Sequence, residues 1–101
     1  INSADTTIAS RDESVEGLYF KSNKKIQSLP IEVKEKFPKL IGIHASFCSL
    51  TTISKANFKG LSKLRILYLH GNQIEMIRSD VFEDLVALER LDLGQLKLNY
   101  F

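Results

Sequence analysis

The side chains able to do chemistry are few: two histidines, His44 and His70, one cysteine, Cys48, and the carboxylate Asp92 further along. Imidazole beside carboxylate is the pairing for proton transfer or metal ligation, and thiolate beside imidazole the pairing for nucleophilic attack. The surrounding sequence supports neither. No His-Glu-x-x-His, Gly-x-Ser-x-Gly or Gly-rich phosphate loop ending in Lys-Ser/Thr is present. The two histidines lack a sequence-close partner ligand, whereas a structural zinc needs about four ligands. A single cysteine excludes an internal disulfide framework and a multi-cysteine zinc site. The expectation is a chain that is not an enzyme, with no catalytic residue, metal or cofactor. What remains is binding chemistry, and it depends on which elements bring these residues together.

The chain has 101 residues, enough for one domain, with 14 basic and 12 acidic side chains. Residues 1–39 carry seven basic and six acidic residues, and residues 40–101 carry the same numbers. Neither half is polarised, so no nucleic-acid partner and no anionic membrane surface is expected. No apolar run approaches the ~20 residues that cross a bilayer, so membrane insertion is not expected. The start, Ile1-Asn2-Ser3-Ala4-Asp5, is polar and reads as a mature or trimmed N-terminus without a signal peptide.

The positioning elements come from a repeat. Leu64, Leu67 and Leu69 recur at one constant shift, forward as Leu88, Leu91 and Leu93, and backward as Leu40, Ile43 and Ala45. The same shift links Leu50, Ile74 and Leu98, then Ile53, Ile77 and Phe101, then Phe58 with Phe82 and Leu61 with Leu85. The fullest copy, Leu64-x-x-Leu67-x-Leu69-x-x-Asn72-x-Ile74, has the form of a leucine-rich repeat. Val15, Leu18, Phe20 and Asn23 begin an earlier and longer copy, with one extra residue, Lys24 or Lys25, before Ile26 and Leu29. The repeats therefore divide as 15–39, 40–63, 64–87 and a partial 88–101, behind a capping segment at 1–14.

Each repeat makes one short strand, turns, and returns along an irregular or short-helical back. One repeat cannot bury its apolar face alone, so neighbours stack. The expected fold is an α/β solenoid: a leucine-rich-repeat horseshoe segment with a short parallel concave β-sheet. Ser54 before Lys55-Ala56-Asn57-Phe58, and Ser79-Asp80 before Val81 to Leu85, are placed to cap short convex helices. Ile31, Val33 and Phe37 should pack inward from the first return. Asp5 to Ser10 is β-prone and could pair with the strand near Leu18, and Arg11-Asp12-Glu13 reads as a turn.

The repeat aligns the chemistry into columns. Tyr19, His44, Tyr68 and Asp92 form one outward line, Lys21, Ser46, His70 and Gly94 the next, and Gly17, Gly42, Ile66 and Arg90 a third. Strands lie ~4.8 Å apart, so each column is continuous. Tyrosine combines contact area with a hydrogen-bonding tip. The candidate binding residues on the concave face are Tyr19, Lys21, His44, Tyr68, His70, Arg90 and Asp92, with a protein or glycan ligand as partner. The same residues also suit an ordinary strand surface, packing across strands without a ligand. In the Asn23, Cys48, Asn72, Leu96 column, asparagine bonds buried backbone at the turn, and Leu96 cannot.

Lys59-Gly60-Leu61-Ser62-Lys63-Leu64 through Asn72-Gln73-Ile74, with Phe82-Glu83-Asp84-Leu85, resembles extracellular leucine-rich-repeat proteins of the 24-residue type, including Toll-like receptor ectodomains. Ser14 to Phe20, with Leu29-Pro30 and Lys36-Phe37-Pro38-Lys39-Leu40, is similar to secreted arthropod repeat proteins. The resemblance implies a secreted or extracellular recognition module, non-enzymatic, in innate immunity or cell-surface recognition. It also implies cysteines in the N-terminal cap, and residues 1–39 have none. A second reading is self-assembly, as a dimer or filament, through an apolar C-terminal solenoid end built of Leu88, Leu91, Leu93, Leu96, Leu98, Tyr100 and Phe101.

Overall fold

Four short strands repeat one pattern: a central apolar side chain turned inward between two residues turned out. They are β1 (Gly17–Tyr19), β2 (Gly42–His44), β3 (Ile66–Tyr68) and β5 (Arg90–Asp92), parallel and hydrogen-bonded in that order. The computed structural model describes residues 11–20, 22–94 and 99–100. Leu18 faces Ile43, Ile43 faces Leu67 and Leu67 faces Leu91 across the sheet. Gly17 pairs with Gly42, Gly42 with Ile66 and Ile66 with Arg90, so the first step is one residue longer than the two that follow. The extra residue of the first repeat is absorbed in its turn, where Asn23 Oδ1 accepts from the Lys25 amide at 2.9 Å and the Asn23 carbonyl from Ile26 at 3.2 Å.

The core lies behind the sheet in columns one repeat apart. Phe20, Ala45 and Leu69 follow the strands, Ile26, Leu50 and Ile74 fill the turns, and Leu40 and Leu64 precede the strands, all at most 2% exposed. The column closing the first three repeats, Leu29, Ile53 and Ile77, is also buried. Between repeats, backbone amides reach the previous turn: Ser49 to the Ile26 carbonyl and Gln73 to the Leu50 carbonyl, both at 2.9 Å.

The back of the solenoid holds two single-turn helices, α1 (Val33–Lys36) and α2 (Lys55–Phe58). Ser54 caps α2 as its sequence predicts, in a reciprocal box with Asn57. Asn57 does more. It is 6% exposed, and its Nδ2 donates at 3.1 Å to the carbonyls of both Leu29 and Pro30, bolting the second repeat to the first.

Three expectations need correction. Residues 79–85 form consecutive turns and no helix, since Val81, Glu83 and Leu85 bond backward to Arg78, Asp80 and Phe82 in the tighter closure of successive turns. β-branched Val81 and aromatic Phe82 are weak helix formers, and this tighter closure suffices to bury Val81. Ile31 is 57% exposed. It sits between inward-facing Pro30 and Val33, and the left-handed Glu32 reverses the chain beside it, so its side chain is left outside. Val33 and Phe37 are buried as the pattern implies.

The third correction is a contraction. β4 (Met76–Ile77) pairs in parallel with β6 (Asn99–Tyr100), so Ile77 faces Tyr100 and not Phe101, one position short of the regular repeat. The turns after the sheet strands show the same step. Positive φ falls there at Ser22, Phe47, Gly71 and Gly94, so Gly94 takes the turn position of Gly71 and not that of His70. One residue is lost after Asp92, since Tyr68 and Asp92 keep the regular step while Gly71 and Gly94 are one residue closer. Gln95 and Leu96 both lie outside the described residues, as does the expected pairing of residues 5–10. At the N-terminal side a turn forms at Glu13–Ser14, with the Ser14 amide donating to Asp12 at 2.9 Å.

Candidate functional site

The strand register puts Tyr19 beside His44, His44 beside Tyr68, and Tyr68 beside Asp92 on the outward face of the sheet. The rings touch. Tyr19 stacks on His44 with centroids 4.4 Å apart and planes 15° off parallel, and His44 meets Tyr68 edge-on at 5.1 Å and 80°. Such pairs contribute about 0.5–1.5 kcal/mol beyond their buried area. Tyr19 remains 54% exposed.

The neighbouring column explains why the two contacts differ. Gly17 and Gly42 stand two residues before Tyr19 and His44, and each ring lies over its own glycine. A Cβ at position 17 would come within 2.7 Å of Tyr19 Cε2, and one at position 42 within 3.4 Å of His44 Nε2. At the third strand the equivalent residue is Ile66, whose side chain occupies that floor, and there the Tyr68 ring stands across the line of the other two.

A recess of about 240 Å³ opens on this face, lined by Tyr19, Ser22, His44, Ser46 and Tyr68. Beside it a second aromatic contact continues toward the turn. The Phe47 ring meets His70 edge-on at 4.9 Å, and Lys24 Nζ lies 5.7 Å from the Phe47 centroid. His70 Nδ1 is 3.8 Å from Asp92 Oδ1, both half-exposed, and Asp92 Oδ1 also accepts from the Gly94 amide at 2.9 Å. Arg90 is exposed at the start of β5. Six of the seven sequence-derived binding residues therefore share one face, and Lys21 lies outside the described residues. The sequence places Phe47 near the strand's end, packing against neighbouring turns, and its contact with His70 agrees; sequence reasoning missed Ser22. No residue type marks the turn position that Ser22 and Phe47 share with Gly71, all three at positive φ.

Cys48 is 2% exposed and points into the core, its thiol 3.7 Å from the Ser46 carbonyl. Burial pushes that thiol above its ordinary value, outweighing the Asn23 backbone and Lys24, which act the other way. A neutral buried thiol is a poor nucleophile. Among the described residues no group of three or more His, Cys, Asp or Glu side chains could hold a metal ion, and no helix is long and apolar enough to cross a membrane.

At the far end of the sheet, Leu88 and Leu93 pack in part against the core, and Leu91 is 41% exposed on the last strand. Leu96, Leu98 and Phe101 lie outside the described residues, and Tyr100 is placed only by its backbone pairing with Ile77.

A family model for the leucine rich repeat matches residues 38–98. No curated protein and no solved structure matches the chain. Most of the first copy, 15–39, precedes that match, and β1 joins it to the rest in register with β2.

Proposed function

We propose that this chain, which belongs to the leucine-rich-repeat family, binds a protein partner through the outward, concave face of its sheet, with Tyr19, His44 and Tyr68 at the centre of contact. Domains of this family commonly mediate protein–protein interaction and work without chemistry of their own. The observation that carries the reading is the continuous line of three touching rings on a face left open by the fold. Interfaces concentrate tyrosine at their centres because a rigid, amphipathic ring loses little entropy for the area it buries. Arg90 and Asp92, with the polar His70, form the rim beside the rings, and Lys21 belongs to it by sequence position. An extracellular setting and a role in immune or cell-surface recognition form part of the same reading, supported by the resemblance of the repeats at 59–85.

The test is selection of ligands from a displayed library of random peptides, followed by binding to a Tyr19→Ser, His44→Ser, Tyr68→Ser triple variant. The three side chains face outward, so the variant should retain its circular dichroism and unfolding transition. Loss of binding to the selected ligands is expected. Binding that survives all three substitutions would refute the reading.

A further inference from the structure

We propose that the recess at Tyr19, His44 and Tyr68 takes a proline-rich segment of the partner, laid across the strands as an extended left-handed helix. The inference rests on the concave-face reading above and gives that partner its chemistry.

Spacing is the first argument. Tyr19 and Tyr68 occupy the same column on strands β1 and β3, two steps of ~4.8 Å and so ~9.6 Å along the sheet. A polyproline helix rises ~3.1 Å per residue with about three residues per turn, so one of its edges repeats every ~9.3 Å. Prolines three apart therefore meet the two tyrosines in step. His44 lies under the turn between them, held by its stack on Tyr19.

Charge is the second. Tyr19, Ser22, His44, Ser46 and Tyr68 include no carboxylate, ammonium, guanidinium or carboxamide. Among these described lining residues a cationic side chain would find no counter-ion and an anionic one no ammonium or guanidinium, the Asp92 carboxylate standing one strand beyond Tyr68. Sugar hydroxyls would find no paired carboxylate or amide to bind them two at a time. A proline ring asks for none of these. It presents an apolar face to the aromatic walls, and the exposed carbonyls of the helix accept hydrogen bonds from hydroxyl groups such as those of Tyr68, Ser22 and Ser46.

Shape is the third. The stacked Tyr19–His44 pair and the Tyr68 ring, turned 80° to His44, line a shallow open recess. At about 240 Å³ it is smaller than the ~300–1,000 Å³ of sites that enclose a whole small molecule. It suits one turn of a longer, extended ligand laid across the rings. Because a polyproline helix is already extended before it binds, it loses little entropy on docking to an open face.

The experiment titrates the full chain with acetylated decaproline, alongside a Gly-Ser decapeptide and cellohexaose. The chain contains three tyrosines and no tryptophan, so tyrosine emission reports contact directly, with calorimetry as a second readout. Saturable binding of decaproline alone is expected, nearly independent of added salt. Tyr19→Ser and Tyr68→Ser should each weaken it about tenfold or more, and Lys55→Ala on the convex side should leave it unchanged. The proposal falls if decaproline fails to bind, if neither tyrosine variant weakens it, or if cellohexaose or the Gly-Ser peptide binds equally well. If decaproline fails while library-selected ligands still require the three rings, only the proline assignment is lost. If those ligands ignore the rings as well, the concave-face reading is lost with it.

Discussion

The carboxamide of Asn72 is bonded to the Ala45 backbone, one repeat earlier, with Nδ2 donating to that carbonyl at 2.8 Å. The same nitrogen donates to the Leu69 carbonyl at 2.8 Å, and Oδ1 accepts from the Leu50 amide at 3.2 Å. One 8%-exposed side chain thus satisfies three backbone groups and joins two turns.

Asn72→Ala leaves those groups without their partner, at a cost of about 1–3 kcal/mol for each that stays dry. A total of about 3 kcal/mol lowers Tm by more than about 10 °C in a chain of this length. Asn72→Asp should be at least as damaging at neutral pH, because a carboxylate accepts at Leu50 but cannot donate to the two carbonyls. Thermal unfolding monitored by circular dichroism checks both. A Tm within a few degrees of the parent would contradict the bridging role.

The Asn72 position was legible in the sequence because its column is set by Leu64, Leu67, Leu69 and Ile74, all apolar and all buried. The strand register and the line of Tyr19, His44 and Tyr68 followed from the same counting. Legibility failed where backbone geometry and not side-chain type decides. The contraction after Asp92 is masked by Leu96 and Leu98, which supply apolar residues at the regular spacing whether or not the chain keeps it. The left-handed turn at Phe47 carries no compositional mark, since Ser, Phe and Gly all occupy it. Cys48 shows the same limit from the other side. The Ile26 amide, which corresponds to Leu50 in the next turn, bonds the Asn23 carbonyl instead, so the extra residue of the first turn removes the need for asparagine at position 48.

Gly71 and Phe47 give a coupled prediction. Gly71 has φ +75°, and a Cβ placed there would overlap the Phe47 ring. Gly71→Ala therefore combines a left-handed backbone penalty of about 1–2 kcal/mol with a clash. In a Phe47→Ala background only the backbone penalty remains. The double-mutant cycle should show a coupling of about 0.5–1 kcal/mol or more, read from denaturant midpoints. Additive effects would mean that the ring moves aside freely.

Cys48 makes stability depend on alkaline pH. Burial raises its folded thiol above its unfolded value, so the folded state holds the proton longer. The sign follows from proton binding: the stabilisation is complete below the unfolded thiol range and is lost as pH rises through the folded value. Stability should therefore fall more steeply above the ordinary thiol range in the parent than in Cys48→Ala. The native thiol should resist a disulfide reagent at neutral pH and react at once in denaturant. Rapid labelling of the native chain would contradict its burial.

The near-equal steps between paired strands, from Gly17 to Gly42, Gly42 to Ile66 and Ile66 to Arg90, have a kinetic consequence. Every strand closes onto its neighbour through a loop of nearly the same length, so each closure carries nearly the same entropic cost. Folding then has no long-range step to wait for. It can begin at any pair of turns and spread outward like a zipper. The Asn57 bolt joins the second repeat to the first and the Asn72 bridge joins the third to the second, which makes the first three repeats, centred on the second, the natural seed. Substitutions there should slow folding itself, whereas substitutions near β5 should mainly hasten unfolding.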